Sequence, residues 1–179
     1  MNHLRQFTIP IQGLKIGIHE YDFLIGDEFF THFEDSPIKQ GTFKVKFLID
    51  IREDMLVLTF DLDGSIKTDC DRCLAAINLP IESQEDLIIK FAEEADDEVD
   101  IVYIERGAAE LNVATYLYEY ICLAMPVANI YNCEDEEENV CDLKMLDYLD
   151  NKATEESGKK EEDNSSSSPW DELKDFNKN

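Results

Sequence analysis

Two stretches in the first half of the chain alternate so strictly that they leave little choice of fold. Phe43, Val45, Phe47, Ile49 and Ile51 take every second position, with Lys44, Lys46 and Asp50 among the residues between them. Leu56, Leu58, Phe60 and Leu62 repeat the pattern after the polar break Arg52-Glu53-Asp54. Successive side chains of a strand point to opposite faces, so period two gathers the apolar residues on one side of a sheet. Wound into a helix, the same residues would be spread round the whole circumference. A half-buried antiparallel pair is the nucleus the rest of the chain must fit.

The pattern extends both ways. His19, Tyr21, Phe23 and Ile25 share one face of a strand from Ile18 to Ile25, with Glu20 and Asp22 on the other. Phe7 to Gln12 reads as a short strand broken by Pro10 and punctuated by Gly13. Asp27-Glu28-Phe29-Phe30 reads as a helical turn with Asp27 as N-cap, and Phe29, Phe30 and Phe33 closing one end of the core. Asp63-Gly64 carries a hairpin signal, because Gly accepts the positive φ of a tight turn. Ser65 to Asp69 then returns as a separate strand and delivers the chain to Cys70. Ile77, Leu79 and Ile81 mark another strand, which Pro80 makes an edge or a bulge. Leu87 to Phe91 and Val99 to Ile104 add two more around an acidic loop, residues 93–98. At Asn112, a candidate N-cap, the period changes. Val113, Leu117, Tyr120, Ile121 and Ala124 recur at helical spacing, and Pro126 ends the helix near Met125. The expected architecture is α+β: an antiparallel, strongly curved or barrel-like sheet packed against one main helix, in a single domain over 1–150.

Beyond residue 132 the character shifts. Residues 134–138 are all acidic, and Leu143, Met145, Leu146 and Leu149 suggest a short amphipathic helix. Residues 151–168 show no apolar period and end in Ser165 to Ser168, which reads as a disordered acidic linker. In 169–179, Ser168 as N-cap and Pro169 at N1 open a short helical anchor. Trp170, Leu173 and Phe176 line one face of it, the pattern either of a docking peptide or of a segment that folds back on its own domain.

The formal charge is −25, from 41 Asp and Glu against 16 Lys and Arg. Up to residue 92 there are nine Lys and Arg against sixteen Asp and Glu, a net of −7, which leaves −18 for the remainder. Such a balance argues against generic nucleic-acid binding, since a phosphate backbone rewards Lys and Arg. A basic protein partner fits better, and the bland alternative is that the acidity only confers solubility. Lys44, Lys46, Arg52, Lys67 and Arg72 fall in or beside neighbouring strands, as a local basic patch or as the wet face of a sheet. No run approaches the ~18 apolar residues of a membrane span, and the N-terminus lacks a signal-peptide apolar region. The expected location is cytoplasmic, where the five cysteines would stay reduced.

Cys70-Asp71-Arg72-Cys73 is the chemically distinctive stretch. Two thiols at this spacing form half of a tetrahedral zinc site, and Cys133 and Cys141 would complete four sulfurs. Reduced structural thiols are a second reading. A redox dithiol is the third, with Arg72 lowering a neighbouring thiol pKa. Against redox chemistry, the motif follows an expected hairpin and does not open a helix. Cys122 lies in the apolar helix and reads as buried and inert. His3, His19 and His32 sit in no catalytic pattern, and no phosphate-cradling Gly loop occurs. The chain is not expected to be an enzyme. A ligand-binding β-barrel is a further alternative, marked by a large apolar interior.

Four features in order resemble the YceD family of large ribosomal RNA subunit accumulation proteins. They are Asp63-Gly64-Ser65-Ile66, Cys70 to Leu74, the helix closing in Leu123-Ala124-Met125-Pro126, and the terminal Pro169-Trp170-Asp171-Glu172-Leu173. The resemblance implies a bacterial, cytosolic, non-enzymatic factor that supports 23S ribosomal RNA accumulation. It implies a link to large-subunit ribosomal proteins or a ribosomal RNA–protein assembly. Arg72, Trp170, Leu173 and Phe176 are the candidate partner contacts in this sequence. The sequence departs from the family pattern after the helix, where relatives carry a denser, Gly-containing cysteine cluster.

Overall fold

The computed structural model describes residues 3–91, 101–105, 107–130 and 141–158. A 3-10 turn, His3–Phe7, leads into β1 (Thr8–Pro10), then β2 (Gly17–Ile25), α1 (Asp27–Phe30), β3 (Gln40–Ile51), β4 (Met55–Asp69) and β5 (Ala76–Phe91). After these come β6 (Ile101–Ile104), β7 (Glu110–Asn112), α2 (Ala114–Ala124) and α3 (Leu143–Gly158). Five strands form one sheet in the order β2-β3-β4-β5-β6, and β1 pairs with β7 in a separate ribbon.

The two alternating stretches are β3 and the first half of β4, paired antiparallel with Phe47 opposite Phe60 and Val45 opposite Leu62. Their inward residues, Phe43, Val45, Phe47, Ile49, Leu56, Leu58, Phe60 and Leu62, are buried. The rings of Phe47 and Phe60 lie 4.9 Å apart, and Tyr120 of α2 packs on Phe60 at 5.2 Å. α2 buries Ala114, Leu117 and Ile121, and Glu119 faces solvent as its position predicts. Phe7, just before β1, contacts Phe23 and Phe29 at 5.3 and 5.1 Å, so the N-terminal segment covers the β2 side of the same face.

Several expectations need correction. The sheet is open: β2 and β6 are its two edges, and it neither closes nor curls strongly. Its apolar face is buried by α2 and by the ribbon of β1 and β7, so it has no need to close on itself. The pairing is not antiparallel throughout, because β6 runs parallel to β5, Ile88 opposite Ile101. The two short strands expected at 77–81 and 87–91 are one strand, β5. Pro80 stands opposite Ser65 of β4, in the part of β5 ahead of Ile88, where the pairing with β6 begins, so it sits on an edge as a strand proline is expected to. Helix α3 runs to Gly158, through the first part of the stretch read as a linker, where Lys, Ala and Glu favour helix. The rest of that linker and the anchor at 169–179 lie outside the described residues.

Asp63-Gly64 is no turn. Strand β4 passes straight through it, with Gly64 opposite Phe43 on one side and Ile81 on the other. A Cβ there would collide with the Thr42 carbonyl oxygen and the Phe43 ring. The glycine allows close approach of backbone and ring, and β3, β4 and β5 stay in one continuous register. Asp27 likewise caps nothing: Gly26 holds the N-cap position. Its carboxylate accepts the Gly41 N–H at 2.9 Å and ties α1 to the start of β3. Asn112 is not the N-cap of α2 either, since Val113 holds that position; from one residue earlier its Oδ1 accepts the Ala114 N–H at 3.0 Å while its Nδ2 donates to Thr8 Oγ1 at 2.8 Å.

Candidate functional site

The turn between β4 and β5 is built from the Cys-x-x-Cys stretch. The Cys70 N–H donates to the Ala75 carbonyl and the Leu74 N–H to the Cys70 carbonyl, both at 2.8 Å. The reversal is completed by Leu74 in the left-handed region, at φ 59. A leucine there costs about 1–2 kcal/mol that a glycine would avoid. Its side chain recovers little by burial, being 64% exposed. Cys70 and Cys73 point the other way and are each 1% exposed, part of the continuous core. Neither is in a disulfide.

A second segment holds this turn from outside. The Asp71 N–H donates to the Asn129 carbonyl at 2.9 Å, and the Asn129 N–H donates to Asp71 Oδ2 at 2.7 Å. Two reciprocal bonds thus clamp the turn to the loop after α2. Around the clamp, Leu74, Val127 and Ile130 are exposed, and Asn129 Oδ1 is buried without a hydrogen-bond partner. The positions are 58 residues apart, so no local pattern announced the contact. The proline-terminated helix was the only hint that the chain must turn back near here.

The other expected residues fall as follows. Arg72 is exposed at the tip of the turn. Lys39 and Lys67 line a shallow depression of about 320 Å3 beside Ala76, the first residue after the turn. Lys44 and Lys46 stand opposite Asp63 and Asp61 across the β3–β4 ladder, and Arg52 pairs with Asp50 at 2.8 Å. Those cations are therefore interleaved with acids, as on a solvated sheet face. Cys122 is half-buried. Burial pushes its thiol pKa up, and a hydrogen bond from Tyr118 offsets only part of this. The thiolate is disfavoured, in keeping with an inert thiol.

Of the four sulfurs read as a possible zinc set, Cys70, Cys73 and Cys141 lie among the described residues. Among the described residues, no three His, Cys, Asp or Glu converge on a point a metal could occupy. Cys141 is disulfide-bonded, which departs from the expectation that every cysteine is reduced and leaves it no thiolate to offer a metal. Cys133, Trp170, Leu173 and Phe176 lie outside the described residues. Thiol–disulfide exchange depends on access, and Cys70 and Cys73 are both buried. No helix among the described residues is long and apolar enough to cross a membrane.

Residues 58–177 match the family model described as Large ribosomal RNA subunit accumulation protein YceD. No curated protein and no solved structure matches. The matched region opens inside β4, yet β2 and β3 come from before it. Without them Leu58, Phe60 and Leu62 would keep β5 but lose their partners on β3, so the earlier residues complete the core around the matched region in this chain.

Proposed function

The chain belongs to the YceD family, and from that premise we propose that it is a non-catalytic accessory factor for accumulation of 23S ribosomal RNA and formation of the large ribosomal subunit. The match over residues 58–177 carries the reading. It takes in the Cys-x-x-Cys turn, the clamp to Asn129, α2 and the terminal Trp170 segment. The chemistry of the turn agrees with a structural role. Its thiols are buried as core, its strained residue is an exposed leucine, and its charged tip is Arg72. The charge of −25 favours contact through basic protein, or through structured RNA with a basic protein beside it, over bare nucleic acid.

Depletion of the protein in its host tests this. The expected result is a fall in the large-subunit peak on a sucrose gradient, with 23S reduced relative to 16S ribosomal RNA. Restoration by the wild-type chain and by Cys70→Ser/Cys73→Ser, provided that variant folds, would support a non-redox role. An unchanged subunit profile after depletion would overturn the reading.

A further inference from the structure

Among the described residues, strand β2 is the long unpaired edge of the sheet. Its nine residues, Gly17–Ile25, pair with β3 on one side only. In an antiparallel pair, alternate residues of an edge strand turn their N–H and C=O away from the neighbour. An edge of this length is a template for another strand, and proteins normally blunt it with proline, a bulge, a cover or charged side chains. β2 has no proline, and its register against β3 runs without a bulge from Gly17 to Ile25.

The side chains along this edge are specific. On the outer face Ile18 and Leu24 are 68% and 73% exposed, and they flank Glu20 and Asp22. Among the described residues neither carboxylate is in an ion pair, although Asp22 stands opposite Lys46 across the β2–β3 ladder while Glu20 stands opposite Leu48. On the inner face His19, Tyr21 and Phe23 are only half-buried, where their counterparts Ile49, Phe47 and Val45 on β3 are fully buried. A depression of about 370 Å3 opens beside Glu20 and Asp22, lined also by Lys46, Leu48 and Asp61. The inner row lacks one more strand to cover it, and the outer row presents two adjacent acids at strand spacing.

Self-pairing does not satisfy this edge. In a symmetric antiparallel pair centred on Tyr21, Glu20 would face Asp22 of the second copy, twice over. A shift of one residue in the centre places Glu20 on Glu20 or Asp22 on Asp22, and sets an apolar residue against an acid. Like charges directly opposite are destabilising. Two chains at −25 each repel further.

We infer that β2 accepts an extended basic segment of a partner protein as a sixth strand. Its outward side chains alternate as Lys or Arg opposite Glu20 and Asp22, and its inward ones are β-branched or aromatic against Tyr21 and Phe23. Main-chain hydrogen bonds supply affinity, and the two acids select the partner. This rests on the basic-partner reading above and names the surface and the peptide class.

The test uses the full chain and two synthetic peptides of identical composition. One alternates Lys or Arg with Val, and the other holds its basic residues in one block. The alternating peptide should bind by calorimetry and slow amide exchange across residues 17–25. The block peptide should do neither. Glu20→Lys/Asp22→Lys should weaken the alternating peptide at least about tenfold, as two cross-strand attractions become repulsions. The same variant should gain affinity for an alternating Glu/Val peptide that wild type ignores. Equal binding of the block peptide, or binding without protection at 17–25, would overturn the inference. Should the variant not fold, protection on the unaltered chain decides alone. Large-subunit association that survives Glu20→Lys/Asp22→Lys would remove β2 as the surface and leave the accessory-factor reading standing.

Discussion

Gly64→Ala probes the register on which the whole sheet depends. Gly64 is read here as a mid-strand residue whose missing side chain lets β4 pass beside Thr42 and Phe43. Its φ lies outside the left-handed region, so the effect of a methyl is steric. Alanine in a strand gains about 0.5–1 kcal/mol over glycine through the unfolded chain. Against this, an inserted methyl in a packed site costs about 1–3 kcal/mol. The upper end applies, because one colliding atom is a backbone oxygen in the β3–β4 ladder and cannot rotate aside. The net is a loss of about 2 kcal/mol. For a chain of 179 residues, each kcal/mol moves Tm by about 2–4 °C, so Tm should fall by about 4–8 °C. Gly41→Ala is the internal control. Its Cβ would meet the Phe30 ring at 3.1 Å and Ile66 Cγ2 at 3.3 Å, side chains that can yield, so its loss should be smaller. Gly64→Asn separates the strand from a hairpin turn. Asparagine tolerates the positive φ of a turn and would be nearly neutral there, whereas in a strand it collides as alanine does. Urea and thermal melts read all three. A stable Gly64→Asn beside a destabilised Gly64→Ala would refute the continuous strand and restore the turn.

Three further outcomes follow from the same structure. Asp71→Ala should release the Asn129 amide from the turn, speeding its hydrogen exchange and lowering stability by about 1 kcal/mol; unchanged exchange at Asn129 would refute the clamp. Tyr116 and Tyr120 have phenol pKa values raised above 10.0, by burial first and then by Glu119 for Tyr116 and by Glu85 for Tyr120. The native state holds these protons more tightly than the unfolded chain, so their contribution is complete below pH 10.0 and is lost as pH rises through the raised values; Tyr116→Phe/Tyr120→Phe should flatten that alkaline loss in denaturant titrations, and an unaltered slope would count against the burial. Because the thiols do not assemble a zinc set among the described residues, a chelator should leave Tm unchanged, and a marked fall with release of about one zinc per chain would show that donors outside those residues complete a site.

The period-two rows at 43–51 and 56–62 determined the central strand pair, its buried face and its wet face without any coordinates, because alternation has one geometric solution. The helix at 114–124 was equally legible, since periodicity and the closing proline agreed on it, although its N-cap is Val113 and not Asn112. What local pattern left open was everything that depends on who stands beside whom. Asp63-Gly64 has the chemistry of a turn, and only the ring of Phe43 across the ladder shows why glycine is needed in a strand. Asp27 has the chemistry of a cap, yet its carboxylate goes to Gly41, fourteen residues away. Whether the sheet closed was undecidable from alternation, which is the same in a barrel and an open sheet; the packing of α2 and the N-terminal ribbon decided it. The Cys-x-x-Cys spacing allowed metal, redox or core. Burial of both thiols in the β4–β5 turn and the reach of Asn129 to Asp71 are tertiary facts, because they join parts of the chain that sequence separation keeps apart.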